Sequence, residues 1–355
     1  MATSLDIIIV NWNSGTQLQH CLDSIAAASR NRFSLHHVVV IDNASSDGSA
    51  EQLQPRDLPL TILRNETNRG FGTACNQGAR DSRASYLLFL NPDCALFADS
   101  LDTPIDYMEQ PEHAGVGITS IQLLDDESAL NRSCARFPTP GRLISVTLGL
   151  AHVFPRFPAH RMATWDHLET REVDHVIGAF TLMRRAVFER LDGYDERFFV
   201  YLEDVDLSLR MRKLGFASVY LASARALHKG GGCSNRAKAT RLFYSLSSRI
   251  IYCRKHFGWA SATAVTVATL LVEPFSRMVY AVSRGGFREI GDTLEAYAML
   301  LKWLATSTFK QNQPAPGGLN SNRSAANLIV PRNRPCNEDL ASDVAEAGIH
   351  TEGGN

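Results

Sequence analysis

Short apolar runs that each end in polar residues are the feature of this sequence that most constrains its fold. Residues 5–10 form an apolar, β-branched run that stops at Asn11-Trp-Asn-Ser-Gly and leads into a helical pattern. Residues 37–41 repeat the arrangement and end in Asp42-Asn-Ala-Ser-Ser-Asp-Gly. Buried strands that finish in polar loops and pass into helices predict a parallel α/β sheet, whose ligands bind beyond the carboxyl ends of the strands.

Two more strands are predicted at residues 60–63 and 85–90. Between them, Asn68-Arg-Gly-Phe-Gly opens a helix, and glycines such as Gly70 let a backbone approach a ligand closely. The spacing of these glycines matches neither the dinucleotide-binding motif nor a P-loop. The loop is therefore a candidate binding element whose ligand the spacing alone does not identify.

The fourth strand runs directly into Asn91-Pro-Asp93. A carboxylate at the ligand edge of a sheet suits a hard divalent cation that also contacts phosphate oxygens. An ordinary Asn-Pro-Asp turn explains the same residues without any function. The local pattern leaves both interpretations open.

Three carboxylates, Glu203, Asp204 and Asp206, gather at a predicted helix start, and the helix ends in basic residues and a glycine. In one interpretation these acids complement the helix dipole, and Asp206 pairs with Arg210 across one turn. In the other, the aromatic run at residues 198–201 places a proton acceptor beside apolar walls, which tune its basicity. The aromatic run favours the second interpretation.

Later segments supply further candidates. Residues 174–184 are strand-like, and Gly178 within them permits close approach of a substrate. Residues 125–172 are non-periodic and contain four prolines, which is typical of a functional loop or a lid. His228 lies in a predicted loop beside a glycine triplet, and it fits either a hydrogen-bonded surface histidine or part of a phosphate or metal site.

The charge distribution is uneven although the whole chain has a net charge of only −1. Residues 207–272 contain eleven Lys and Arg but no Asp or Glu. This pattern indicates an anionic partner, such as a diphosphate or a membrane surface, or else a solvated helix face. Residues 262–272 form an apolar run that is too short to span a bilayer, and it suits either an interfacial helix or one packed against the main domain.

We expect a catalytic domain at residues 1–234, a helical region able to associate with a membrane at 235–310, and a disordered tail at 311–355 that is rich in Asn, Pro, Gly and Ser. The seven cysteines show no metal-ligand spacing, which predicts free thiols in a reducing compartment. The first residues contain neither a basic segment nor a long apolar one. We therefore expect a cytosolic location, with the helical region reaching the inner face of the cell membrane.

Taken together, these stretches resemble the family 2 glycosyltransferases and, among them, the bacterial dTDP-rhamnosyltransferases. The resemblance covers about residues 5–234 in the order typical of the family. The matching stretches are Ile8-Ile-Val-Asn-Trp-Asn13, Val40-Ile-Asp-Asn-Ala-Ser-Ser-Asp-Gly48, Asn68-x-Gly-Phe, Asn76-x-Gly78, Phe89-Leu-Asn-Pro-Asp93, Gly178-Ala-Phe and Phe198-Phe-x-Tyr-x-Glu-Asp-Val-Asp-Leu-x-x-Arg210. The resemblance implies an α/β GT-A nucleotide-sugar fold, a mostly parallel sheet flanked by helices, followed here by a C-terminal helical appendage.

The same resemblance implies roles for particular residues. Asn91-Pro-Asp93 stands in place of the family's D-x-D motif, with Asp93 binding Mg²⁺ or Mn²⁺ at the sugar diphosphate and His228 completing the metal shell. Asn91 departs from the first Asp of that motif and offers no second carboxylate. The residues expected to bind the nucleotide sugar are Asn11, Asp42, Asn68, Gly70, Asn76, Asn91, Asp93 and Gly178.

The expected reaction is an inverting sugar transfer, with Asp204 as the base that deprotonates the acceptor hydroxyl and Glu203 orienting the acceptor. The resemblance implies L-rhamnose from dTDP-rhamnose as the donor and a saccharide acceptor, linked to polyprenyl diphosphate if the enzyme works at an anionic membrane. A UDP-sugar donor such as galactofuranose or a hexose is the alternative, and a catalytically silent glycan-binding scaffold is the other class. No nucleic-acid partner is expected.

Overall fold

The computed structural model describes residues 3–311, except residues 52, 55–56, 150–161, 163–164, 231–237 and 285. The sheet and the C-terminal helices both belong to one compact unit, Met1–Ala315. The predicted disordered tail lies outside the described residues, apart from its first residue.

The N-terminal half of the sheet is the parallel array that the sequence predicts. Its strands are β1 (Ser4–Asn11), β2 (Ser34–Asp42), β3 (Leu60–Arg64) and β4 (Tyr86–Leu90), in the spatial order β3-β2-β1-β4. Helix α1 (Gln17–Ala27) follows β1, and α2 (Phe71–Ala79) follows β3. The register places Asn11 beside Asp42 at the carboxyl ends of β1 and β2. The polar strand ends therefore meet at one edge.

The second half of the sheet is mixed. The remaining strands are β5 (Cys94–Leu96), β6 (Val116–Leu124), β7 (Leu130–Asn131), β8 (Cys134–Ala135), β9 (Arg171–Val173), β10 (His175–Val176), β11 (Phe180–Arg184) and β12 (Ala217–His228). The order continues β4-β11-β6-β12-β5, and β8 and β10 form a separate pair. Strand β11 runs antiparallel to both β4 and β6. The sequence does not reveal this reversal, because a strand buried on both faces has the same pattern in either direction.

The remaining helices are α3 (Asp102–Glu109), α4 (Pro140–Thr147), α5 (Arg185–Arg190), α6 (Glu203–Lys213), α7 (Lys238–His256), α8 (Trp259–Leu271), α9 (Glu273–Ser283) and α10 (Phe287–Gln311). Helix α4, with β7 and β8, corrects the prediction that residues 125–172 are irregular. Pro140 suggested a break, but it occupies the first turn of α4, where Thr139 caps the helix by accepting from the Arg142 N–H.

The core has two layers, one on each face of the sheet. Alternate residues of β1 point to opposite faces: Ile7 and Ile9 pack with α1, whereas Ile8 packs with α2. Leu207 and Met211 of α6 belong to the same layer as Ile8. This packing places α6, which begins with the three carboxylates, over the sheet face that α2 also covers.

The C-terminal helices carry most of the large apolar side chains that the described residues expose. Phe275 and Val279 of α9 are 66% and 69% exposed, and Phe287 of α10 is 72% exposed. Within the described residues, no single helix has the length and hydropathy to cross a membrane, although α8 and α9 reach that hydropathy as a pair bent by 40°.

Candidate active site

The carboxyl ends of β1 and β2 bring together two of the predicted nucleotide-binding residues. The Asn11 amide donates to Oδ1 of Asp42 at 2.9 Å and to Oγ of Ser49 at 2.9 Å. Both Asn11 and Asp42 are buried. The Asn11 side chain therefore holds the Asp42 carboxylate at the edge of the sheet where the resemblance places the nucleotide.

The loop between Asn68 and Gly70 is tied to the same edge by Asn43. The Asn43 amide donates to Oδ1 of Asn68 at 3.0 Å and to the Gly70 carbonyl at 3.2 Å. Gly70 has φ +84°, and a Cβ there would collide with the carbonyl oxygen of Phe199. The sequence reasoning gave Asn43 no role, although its place directly after Asp42 at a strand end is the signal that could have identified it.

The Asn76 side chain forms its hydrogen bonds with a different loop. Its side chain accepts from the Tyr194 N–H at 2.8 Å and donates to the Tyr194 carbonyl at 2.8 Å. It also donates to Oε1 of Glu196 at 3.2 Å. These bonds use both amide atoms of Asn76 to hold the loop after α5, and its predicted role in donor binding stays a prediction.

Asp93 and His228 meet at a candidate metal centre. Strand β5 pairs antiparallel with β12, which sets His228 opposite Cys94. Oδ1 of Asp93 lies 3.5 Å from Nε2 of His228. Within the described part of the chain, Oδ1 of Asp93 and Nδ1 of His228 are buried and have no hydrogen-bond partner. A buried carboxylate oxygen and a buried imidazole nitrogen that lack hydrogen-bond partners can both offer lone pairs to a divalent cation. His228 ends β12 and does not lie in the predicted loop, so strand pairing holds it in place.

Cys94 is the third side chain near this centre, with its sulfur within 4.8 Å of the ligand atoms of Asp93 and His228. Burial, with the Asp93 charge second, raises the pKa of the Cys94 thiol well above its usual value. The thiol donates to the Ala179 carbonyl at 3.4 Å. Asp93 and His228 are therefore the side chains best suited to ligate the cation.

Asp204 lies at the start of α6, where backbone groups hold its carboxylate. Oδ2 accepts from the Gly178 N–H at 3.1 Å, and Oδ1 accepts from the Val205 N–H at 2.8 Å. The Asp204 side chain is 21% exposed, so it is both held and accessible. The next residue along the chain from Gly178, Ala179, accepts from the Asn91 N–H at 2.9 Å. A single two-residue segment thus connects the predicted base to the loop of the candidate metal centre.

Glu203 differs from its neighbour because it is buried. Tyr201 and Leu202, which precede it, both have left-handed backbones with φ of 70° and 64°. Burial, with repulsion from Asp204 second, raises the pKa of Glu203 well above its usual value. Asp204 is therefore the member of the pair that is accessible to an acceptor hydroxyl.

Asp206, the third carboxylate, is fully buried and serves as an anchor between helices. It accepts from Arg210 at 2.7 Å, which confirms the predicted pair, and from Lys255 at 2.6 Å and His256 at 2.7 Å. For Asp206 the structural interpretation of the acidic helix start is therefore sufficient. At least five of the eleven basic residues in the acid-free segment pair with acids from within the chain: Arg210, Arg212, Lys229, Arg249 and Lys255.

Residues 6–192 match the family model described as glycosyl transferase family 2, which is more than half of the chain. The chain belongs to this family. As a member, it is a nucleotide-sugar-dependent glycosyltransferase, and the predicted family and α/β class are confirmed.

Two curated relatives carry rhamnosyltransferase names. One, the N-acetylglucosaminyl-diphospho-decaprenol L-rhamnosyltransferase of Mycobacterium tuberculosis (strain CDC 1551 / Oshkosh), is 30% identical over 275 residues, which is 73% of this chain and 87% of the relative. Rhamnosyltransferase WbbL of Escherichia coli (strain K12) is 32% identical over 152 residues, 42% of this chain and 54% of the relative. These matches make this glycosyltransferase similar to two enzymes named as rhamnosyltransferases.

The solved structure of GalNAc-T7 with UDP, GalNAc and Mn²⁺ shares the fold of this glycosyltransferase. The two align with a TM-score of 0.53 and 16% sequence identity, over 89% of this chain and 59% of GalNAc-T7. At this identity the likeness concerns the fold alone.

Proposed function

We propose that this glycosyltransferase transfers L-rhamnose from dTDP-L-rhamnose to a saccharide acceptor linked to polyprenyl diphosphate, with inversion at the anomeric carbon. The similarity to the mycobacterial L-rhamnosyltransferase, over 87% of that protein's length, supports the sugar and the class of acceptor. The single observation that carries the mechanism is the segment at Gly178 and Ala179, because it contacts both Asp204 and the loop that leads to Asp93.

In this mechanism Asp204 takes the proton from the acceptor hydroxyl, and the oxygen attacks the anomeric carbon of the donor. The bond between that carbon and the diphosphate oxygen breaks, and the nucleoside diphosphate leaves with the electron pair. One displacement inverts the configuration. The Gly178 and Val205 N–H groups hold the Asp204 carboxylate in one orientation for this step.

Asp93 and His228 would hold Mg²⁺ or Mn²⁺. When bound, the cation neutralises negative charge that develops on the leaving diphosphate. The structure of GalNAc-T7, which shares this fold, contains Mn²⁺ and UDP, and this supports a divalent cation as the cofactor. Asn11, Asp42 and the loop at Asn68 would bind the nucleotide at the adjoining edge of the sheet.

We further propose that the enzyme works as a peripheral protein on the inner face of the cell membrane, where a lipid-linked acceptor is held. The exposed apolar faces of α9 and α10 are the parts of the described chain best suited to enter the interface. Because Arg249 and Lys255 pair with internal acids, less of the basic charge is available for anionic lipid than the sequence suggested. In this proposal, exposed apolar side chains therefore contribute more to membrane attachment than basic side chains do.

Screening the purified enzyme against a panel of nucleotide sugars tests the function. The panel contains dTDP-L-rhamnose, UDP-galactofuranose and UDP-hexoses, each with a lipid-diphosphate saccharide and with or without divalent cation. Release of dTDP that requires both rhamnose donor and acceptor supports the proposal. Release of UDP with another donor would show that the enzyme transfers that sugar instead of rhamnose. If no nucleoside diphosphate is released with any donor, the result would favour a scaffold.

A further inference from the structure

A buried histidine stands behind the predicted base. His175 lies on β10, which pairs with β8, and the residue is 4% exposed. Its Nε2 atom is 3.6 Å from Oδ2 of Asp204, the oxygen that also accepts from the Gly178 N–H. Asp174, the neighbouring acid, is engaged by Arg212 at 2.8 Å. Asp204 is therefore the carboxylate that faces Nε2 of His175. Among the described residues, no Lys or Arg side chain pairs with Asp204.

The surroundings of the ring assign its tautomer. Nδ1 of His175 is buried and has no hydrogen-bond partner among the residues that the structure describes. A proton on Nδ1 would bury an unsatisfied N–H and turn the lone pair of Nε2 toward a carboxylate, which is repulsive. A charged ring would bury the same unsatisfied N–H, and burial also lowers the pKa of His175, although Asp204 and Asp174 oppose this. The arrangement that avoids both penalties is a neutral ring with its proton on Nε2.

We propose that His175 is a positioning residue for Asp204, with its Nε2–H directed at Oδ2. Together with the N–H groups of Gly178 and Val205, it makes three donors around one carboxylate, and they fix its orientation. The distance between Nε2 and Oδ2 can shorten when the saccharide acceptor binds, because catalytic hydrogen bonds are often long in the absence of substrate. This role rests on the proposed function, since it assigns a partner to the proposed base.

Two substitutions separate positioning from structure. His175→Phe removes the donor and also the unsatisfied Nδ1, so the thermal midpoint should hold or rise. Its turnover should fall by about tenfold, whereas KM for the donor should stay within about twofold, because the ring touches the base and not the nucleotide. His175→Gln keeps an N–H at a similar reach and should recover most of the lost turnover.

His167→Phe is the matched control. His167 is also buried, but its ring nitrogens contact the Trp165 carbonyl at 2.9 Å and the Cys134 N–H at 3.4 Å. Its replacement should lower the thermal midpoint and leave kcat unchanged. Wild-type turnover in His175→Phe, or a fall in turnover and midpoint together in both His175 variants, would overturn the inference.

A spectroscopic readout does not depend on turnover. Nitrogen-15 spectra of the full chain labelled at histidine, assigned with His175→Gln, should show His175 with a protonated Nε2 and a bare Nδ1 at neutral pH. Asp204→Asn should shift the Nε2 signal. A proton on Nδ1, or no response to Asp204→Asn, would overturn the inference. Inactivity of the wild type with every donor would instead refute the proposed function and leave this measurement valid.

Discussion

The backbone N–H of Gly178 donates to the carboxylate of Asp204 at 3.1 Å, although 26 residues separate them along the chain. Gly178 immediately precedes Ala179, whose carbonyl accepts from the Asn91 N–H and from the Cys94 thiol. The turn before β11 therefore reaches the helix that bears the base on one side and the loop of the candidate metal centre on the other. The two peptide units at Gly178 and Ala179 thus connect the helix with the loop.

The metal assignment predicts that Asp93→Ala removes cation-dependent donor binding. Loss of one of two protein ligands should weaken Mn²⁺ binding strongly, because His228 alone offers a single nitrogen. Isothermal titration calorimetry with Mn²⁺ and with the nucleotide sugar measures this. Asp126→Ala is the control, since Asp126 is exposed and pairs with Lys229 next to the centre. Unchanged Mn²⁺ affinity in Asp93→Ala would refute the assignment.

The buried anchor predicts a loss of stability. Burial opposes ionisation of Asp206, but hydrogen bonds from His256 and Lys255 and the charge of Arg210 outweigh it and hold its pKa below the usual value. Asp206→Asn should reduce the free energy of unfolding by about 3 kcal/mol at neutral pH, because cations then lack their buried partner. A depressed carboxyl pKa stabilises above the unfolded value and loses this effect as pH falls, so the deficit should shrink in acid.

Urea unfolding of the wild type, Asp206→Asn and the exposed control Asp81→Asn, in neutral and in acidic buffer, measures this difference. Equal midpoints for the wild type and Asp206→Asn at neutral pH would mean that the anchor does not contribute to stability.

Glu203 predicts the opposite pH dependence. Its pKa is raised in the folded state, so its contribution to stability is complete below the unfolded value, near 4.5, and is lost as pH rises toward the folded value. Glu203→Gln cannot ionise and should gain stability relative to the wild type as pH rises above the unfolded value. Thermal midpoints across this range, with exposed Glu127→Gln as the control, measure it. A constant difference would contradict the burial of an ionisable Glu203.

The membrane proposal predicts that Phe275→Ser with Val279→Ser weakens vesicle binding by about tenfold or more, since each large apolar side chain contributes about 1.5–3 kcal/mol when fully buried. Co-sedimentation with neutral and anionic vesicles measures it. Leu168→Ser is the control, because Leu168 is 65% exposed but lies outside the C-terminal helices. Equal sedimentation of the double variant and the wild type would show that α9 is not part of the attachment surface.

The sequence predicted the parts of the site that depend on local pattern. Polar residues at strand ends placed Asn11 beside Asp42, and helical spacing placed Asp204 at the start of α6. Family resemblance placed Asp93 and His228 together, which strand pairing in the structure explains. The positions of Asn11, Asp42 and Asp204 follow from strand ends and helical periodicity, which are local properties of the chain.

Other features depend on distant contacts, which no local pattern encodes. The left-handed backbone at Tyr201 and Leu202, directly before Glu203, is not expected of those residue types. His175 meets Asp204 only because β10 pairs with β8 and brings a segment 29 residues earlier in the chain against α6. The basic segment suggested an anionic partner, because its internal acidic partners, except Asp206 for Arg210, lie far away in the sequence.

The most direct measurement of the central claim is the turnover of Asp204→Asn together with its donor affinity. Asparagine keeps the size of the side chain but cannot take a proton, so turnover should fall by about a hundredfold to ten-thousandfold while donor affinity stays near the wild-type value. Glu203→Gln, measured alongside it, should lose less turnover. Near-wild-type turnover by Asp204→Asn would contradict the account and show that another group is the base.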